Sequence, residues 1–211
     1  MVSILWVFSF CIGLIRLKTI NITLVRHGEP EQLGLLLGHT DLNLSKLGEQ
    51  QLINRFNNLK FERLISSPLK RCLVMAEYIA TKRKMTVDVE VNIKEMNFGD
   101  WDGLGYDSLW QQTPSLGDFW QNPIDITPPN GESFLAFQTR VNKWWQSLIH
   151  QASGDTVVLT HAGVIKQVIS NLLNEMHYAE LSNKIKIDYA GIINIEVKQD
   201  DQGNVWPMLK F

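Results

Sequence analysis

At 211 residues, with 45% hydrophobic and 20% charged positions, the chain has the balance of an ordinary globular protein with a sizeable core. A formal net charge of −2 and a pI near 6.2 leave no electrostatic footprint for nucleic acid or an anionic membrane surface. Two cysteines, Cys11 and Cys72, make neither a disulfide framework nor a zinc-ligand cluster, so a reducing cytoplasm is the default compartment.

The chain opens on an apolar stretch, Val2 to Ile15, followed by Arg16 and Lys18. It is shorter than the roughly 20 residues a helix needs to span a bilayer, and it lacks a signal peptide's basic start and small-residue cleavage site. Residues 1–18 are therefore read as an apolar N-terminal extension whose status stays open: a strand or helix covering a sheet edge and an extension from an upstream start fit equally well, and a membrane-tethered enzyme is the disfavoured alternative. Ile20, Ile22, Leu24 and Val25 then form an apolar, β-branched run that predicts a buried strand. It delivers Arg26 and His27 to its carboxyl end, where ligands sit in open α/β sheets. Gly28 follows, free to turn sharply or to admit a ligand close to the backbone. Taken alone, His27 is equally a hydrogen-bonded histidine at a strand end and Arg26 a surface charge.

A polar loop from Glu29 to Asp41 carries Gln32 and leads, through Ser45 as N-cap, into a predicted helix from Lys46 to about Asn58. Its apolar residues Leu47, Leu52, Ile53 and Phe56 fall roughly on one face. Arg63-Leu64-Ile65 predicts a short strand. Ser66-Ser67-Pro68 predicts a helix start, with serines able to cap and proline at the first helical position. The helix from Leu69 to about Thr81 puts Leu69, Leu73, Ala76 and Ala80 on a core stripe and Arg71 in its first turn. There, beside free backbone N–H groups, Arg71 is either half of an anion site or a solvated surface residue.

Val87 to Ile93 predicts another strand. The loop Glu95 to Gly103 alternates acids with aromatics and glycines, a composition suited to holding carboxylates beside an apolar wall. From Gly105 to Pro129, prolines and tryptophans predict short helices over the sheet, a cap-like insertion around 105–130. A long helix follows from Asn130-Gly131-Glu132-Ser133 to about Gln151, with Phe134, Phe137, Val141, Trp144 and Leu148 at core spacing. Asp155 to Thr160 is the clearest strand, ending in His161-Ala162-Gly163 before a helix from Val164 to about Leu173. Ile192–Val197 and Val205–Leu209 close the chain as strands. This alternation implies an α/β fold, a three-layer sandwich with a mainly parallel sheet and helices on both faces. Residues 19–211 form one domain on this reading.

Two strand-end histidines and two arginines gathered at one sheet edge make a concentrated cationic site. Guanidinium forks match phosphate oxygens, and an imidazole supplies a nucleophile. With Glu95 in a neighbouring loop, the set predicts phosphoryl transfer through His27, with Arg26, Arg71 and His161 stabilising charge on phosphorus oxygens and Glu95 moving the leaving-group proton.

The motifs also resemble, in order, those of the histidine phosphatase superfamily, with its phosphoglycerate mutase-like fold. Arg26-His27-Gly28-Glu29 resembles the signature with the nucleophilic histidine, and Ser66 to Arg71 the segment supplying a second phosphate-binding arginine. Thr160-His161-Ala162-Gly163 resembles the segment with the second histidine, and Glu95 stands where the family places its acid. The resemblance implies no metal or organic cofactor and a small phosphorylated substrate as the partner. The stretches Glu95–Gly103, Pro128–Ser133 and Gly38–Asp41 resemble the α-ribazole phosphatase branch, which implies hydrolysis of a 5′-phosphate from α-ribazole phosphate or a phosphorylated cobamide precursor. Trp101, Trp110 or Trp120 could stack a benzimidazole ring, at least two of the three being expected in the core. Where family members commonly carry Thr and a phosphate-contacting Asn, this chain has Pro30 and Gln32; Gln32 can still donate from a longer arm. The alternatives are a broad-specificity phosphatase, a phosphoglycerate mutase-like enzyme and, in a different class, a non-catalytic phosphate-binding module.

Overall fold

The apolar, β-branched runs become strands whose alternate residues are buried on opposite faces of one sheet. The computed structural model describes residues 17–173, 181 and 184–211. Among these, six strands are ordered β3-β2-β4-β1-β5-β6: β1 Lys18–Arg26, β2 Arg63–Ser66, β3 Val87–Val89, β4 Thr156–Thr160, β5 Ile192–Gln199 and β6 Val205–Lys210. The first four in that order run parallel, and β5 and β6 add an antiparallel edge. The apolar Val2 to Ile15 stretch lies outside the described residues, and among those described no helix is long and apolar enough to cross a membrane.

Ile22, Leu24, Ile65 and Val158 face one core, which is completed by α5 Phe134–Gln151 and α6 Ala162–Leu173. Val25, Leu64, Val157 and Leu159 face the other, covered by α1 Lys46–Asn57 and α2 Lys70–Arg83. Period-2 strands buried on both sides are the signature of a sheet between two helical layers. From β1 the chain leaves through α1 toward β2, and from β4 it leaves through α6 toward β5. The carboxyl ends of the adjacent strands β1 and β4 therefore form a topological switch point, where such sheets leave a crevice.

Several boundaries differ from the sequence reading for identifiable reasons. Ser45 does cap α1, accepting from the Gly48 N–H, but Leu47 points to solvent while Gly48, Leu52 and Phe56 are buried. Helix α2 starts at Lys70, and its first N–H is capped by the Asp41 carboxylate at 2.6 Å, not by a serine. Its buried stripe runs through Cys72, Met75, Ala76 and Ile79, with Leu73 only half-buried. The predicted strand Val87–Ile93 stops at Val89. Glu90 caps the Asn92 N–H, and Val91–Ile93 winds into a 3₁₀ turn. Two short helices, α3 Tyr106–Gln112 and α4 Pro114–Gln121, lie in the proline- and tryptophan-rich stretch.

Candidate active site

Register brings the two strand-end histidines together. Arg26 pairs with Thr160 across β1 and β4, so the next residues, His27 and His161, meet with ring centroids 5.3 Å apart. His27 Nδ1 lies 2.7 Å from the Gly28 carbonyl, which can only accept. The proton therefore sits on Nδ1, and Nε2 keeps its lone pair. His161 is tied down at both nitrogens: Nδ1 accepts from Arg71 Nε at 3.3 Å, and Nε2 donates to Ser67 Oγ at 2.8 Å. Burial holds both imidazoles well below their ordinary pKa. The Arg71 and Arg26 charges add to this for His27, and those of Arg71, Arg140 and Arg26 for His161. Both rings are neutral at pH 7.

Gly28 is required for packing rather than for ligand approach. A Cβ there would stand 2.2 Å from the Gly48 carbonyl, and one at Gly48 would stand 2.1 Å from the Glu29 carbonyl. The two glycines let α1 dock directly on the chain leaving β1.

Arg71 is fully buried (0% exposed), so the solvated-surface alternative falls. Besides His161, its guanidinium donates to the carbonyls of Gly38 at 2.6 Å and Thr40 at 2.9 Å. That loop is held in turn by Asp102, whose carboxylate accepts consecutive N–H groups from Gly38, His39 and Thr40. No side chain fits at Gly38, where a Cβ would lie 2.2 Å from the Met96 carbonyl and 2.4 Å from Asp102 Oδ2. Arg26 is half-buried. It donates to the Ile187 carbonyl at 2.6 Å and packs 4.1 Å from the Tyr189 ring centroid, and its Nε is buried without a partner among the described residues. Burial lowers its pKa, against the opposing charges of Tyr189 and Glu95.

Glu95 faces the same crevice. Its carboxylate accepts from the Gly163 N–H at 3.0 Å and the Met96 N–H at 3.2 Å. A Cβ at Gly163 would sit 2.2 Å from Glu95 Oε1 and push the carboxylate from this place, so glycine here leaves room for it. Arg26, Glu95 and Gly163 line a cavity of about 620 Å³, to which Phe98, Tyr106, Trp110, Phe119, Trp120 and Phe134 supply aromatic wall. Tyr106 and Trp110 are stacked, 6.0 Å between centroids and 18° between planes, with Trp110 53% exposed. Of the three tryptophans considered, Trp101 alone is wholly core; Trp120 packs on Phe98 and Phe119 while also lining the cavity.

His27, His161, Arg26, Arg71 and Glu95 thus converge. Gln32 is exposed on its loop, unlike the buried His27, His161 and Arg71. Sequence reasoning missed Tyr189, Asp102, Ser67 as a histidine partner, and Arg140, which forks onto Glu132. The available signal was for Asp102, an acid between tryptophan and glycine in a loop that alternates acids with aromatics.

The model of the histidine phosphatase superfamily (branch 1) matches residues 22–206. Adenosylcobalamin/alpha-ribazole phosphatase of Escherichia coli (strain K12) is 30% identical over 157 residues, 71% of this chain and 77% of that one. Phosphoglycerate mutase of Schizosaccharomyces pombe is 30% identical over 168 residues, 72% and 78% of the two chains. Among solved structures, the alpha-ribazole phosphatase from Shigella flexneri matches with a TM-score of 0.74 at 25% identity, covering 90% of this chain and 95% of that one.

Proposed function

The chain belongs to the histidine phosphatase superfamily, and from that premise we propose that it hydrolyses phosphomonoesters through a phosphohistidine on His27. The observation that carries this reading is the state of His27. It is neutral, with its Nδ1 proton committed to Gly28 and its Nε2 lone pair left for phosphorus, beside two guanidinium groups. An in-line attack forms the N–P bond and breaks the P–O bond to the leaving alcohol. Arg26 and Arg71 balance the charge on the phosphoryl oxygens, and His161, beside His27, orients Arg71 by accepting from its Nε. Glu95 gives its proton to the departing alkoxide, then takes one from the water that attacks the phosphohistidine. Gln32 has no part in this scheme. Residues 19–211 act as one catalytic domain, with the 105–130 insertion roofing the leaving-group end.

For substrate, we infer the 5′-phosphate of α-ribazole or of a phosphorylated cobamide precursor. The aromatic wall, above all the exposed Tyr106–Trp110 stack, supports a planar heteroaromatic leaving group, and two of the relatives above are alpha-ribazole phosphatases. The test is kcat/KM on α-ribazole 5′-phosphate beside sugar phosphates, nucleotides and 3-phosphoglycerate. A preference of about a hundredfold, about 2.7 kcal/mol of differential transition-state binding, is expected. A flat profile would keep the phosphohistidine chemistry and give the broad-specificity reading its place.

A further inference from the structure

Glu132 and Arg140 lie outside the cavity lining, and neither has a place in the chemistry above. Yet Arg140 spends all five of its guanidinium donors inside the protein. Nε and Nη2 fork onto the Glu132 carboxylate at 2.6 and 2.8 Å. Nη1 donates to the carbonyls of Asn92 at 2.6 Å and Lys94 at 2.8 Å, and the second Nη2 proton goes to the Glu95 carbonyl at 3.0 Å. The pair is largely out of solvent, its side chains 19% and 15% exposed. A surface arginine gains little from such an ion pair, because solvent screens it and ordering a long side chain is costly. A desolvated fork with every donor matched is a different object.

Two of the three carbonyls have a local cause. The Val91–Ile93 3₁₀ turn ends at Lys94, so the Asn92 and Lys94 carbonyls find their donor outside the turn, in Arg140. The next carbonyl, that of Glu95, lies between Arg140 Nη2 and His39 Nε2 at 3.0 and 3.1 Å. On the far side of Glu95, the Asn97 N–H donates to Glu132 Oε2 at 3.3 Å and the Glu132 N–H donates to the Asn97 carbonyl at 2.9 Å. The loop is thus gripped both before and after Glu95. The Glu95 carboxylate itself accepts from the backbone N–H groups of Gly163 and Met96, and the Lys166 charge acts on it from the same cavity. Where that carboxylate points therefore depends on where its peptide is held.

We propose that the Glu132–Arg140 pair is a positioning clamp that aims the Glu95 carboxylate at the leaving-group oxygen. It rests on the reading of Glu95 as the acid, and it gives the Glu132 of the Pro128–Ser133 motif a physical task. The clamp touches no reacting atom. Its loss acts on proton delivery and leaves phosphate capture alone.

The experiment compares kcat/KM on ribose 5-phosphate, whose alkoxide must be protonated to leave, with p-nitrophenyl phosphate, whose nitrophenolate leaves unaided. Full-length wild type, Glu95→Gln, Arg140→Lys and the double variant are measured on both. Lysine is a point charge that cannot reproduce the five-bond geometry. Arg140→Lys should lose about a hundredfold on ribose 5-phosphate and less than about threefold on p-nitrophenyl phosphate, the selectivity expected when a proton donor is misplaced. Added to Glu95→Gln, it should cost little more, since both act on one step. Glu132→Gln, which keeps the three carbonyl bonds, should show the same selectivity at smaller size and serves if Arg140→Lys does not fold. Equal losses on both substrates, or losses that multiply with Glu95→Gln, overturn the clamp. A Glu95→Gln enzyme with an unchanged substrate ratio overturns the acid assignment beneath it, and the clamp falls with it.

Discussion

The phosphate end of the site stands on the central strands β1, β2 and β4, whereas the leaving-group end rests on α3 and α4, helices of 7 and 8 residues. At the first, His27, His161 and Arg71 are fixed by ladder register and by hydrogen bonds buried beneath them, and none of the three is more than 5% exposed. At the second, helices too short to persist alone are held by Leu109, Leu116 and Phe119 in the core, while Trp110 faces solvent. The contrast separates two tasks. Displacement at phosphorus needs groups placed to a fraction of an ångström, which a sheet supplies. Recognition of a leaving group needs surface and shape, which short helices can vary without disturbing the strands.

The sharpest way to break this division is at its rigid end. His27→Ala should abolish turnover on every substrate and remove the acid-labile phosphoenzyme trapped by rapid quench. Residual turnover at wild-type rate on any one substrate would mean that a second nucleophile serves the leaving-group end, and the division would fail. At the other end the effect should be smaller and selective. Trp110→Ala removes half of an exposed aromatic stack, so kcat/KM on α-ribazole 5′-phosphate should fall about tenfold, the equivalent of about 1.4 kcal/mol of ring packing. On ribose 5-phosphate, which keeps the same reacting end and lacks the heteroaromatic ring, it should change less than about twofold. Equal losses on the two would show that α3 supports the phosphate end as well.

The two ends were also unequally legible in the sequence. Strand identity, the order of the motifs and the strand-end places of His27 and His161 could be read because each histidine ends an apolar run with a strong period, whereas the meeting of these groups with Arg71 and Glu95 is a product of sheet register and loop path. The break of the Val87–Ile93 run at Glu90 could not, because a capping carboxylate two residues away outweighs β-propensity at a sheet edge. Gly28 was legible as special but not for its reason, which lies at Gly48 on another element. Asp102 and Arg140 act over 62 and 45 residues of sequence, on backbone groups that carry no side-chain signature. Gln32 had the right chemistry on a loop whose path takes it to solvent. Trp101 and Trp110 are alike in sequence, and only the packing of α3 and α4 separates core from wall.

The mildest effect should appear in stability, and it belongs to the phosphate end. His27 and His161 are held neutral by burial and by neighbouring guanidinium charge, so their folded pKa values lie below the unfolded 6.5. Below that value the unfolded chain binds protons that the folded one refuses, so stability falls as pH falls. The contribution is fully present above about pH 6.5 and is lost progressively beneath it, with a slope of up to about 1.4 kcal/mol per pH unit for each imidazole. Urea unfolding between about pH 7.5 and about pH 5.5 should register this before most carboxylates titrate. His27→Gln, which cannot be protonated, should flatten the slope by one histidine's share, while Trp110→Ala should leave it unchanged. A wild-type profile flat across that window would mean that the imidazoles accept protons in the folded state, and His27 would then lack the lone pair its chemistry requires.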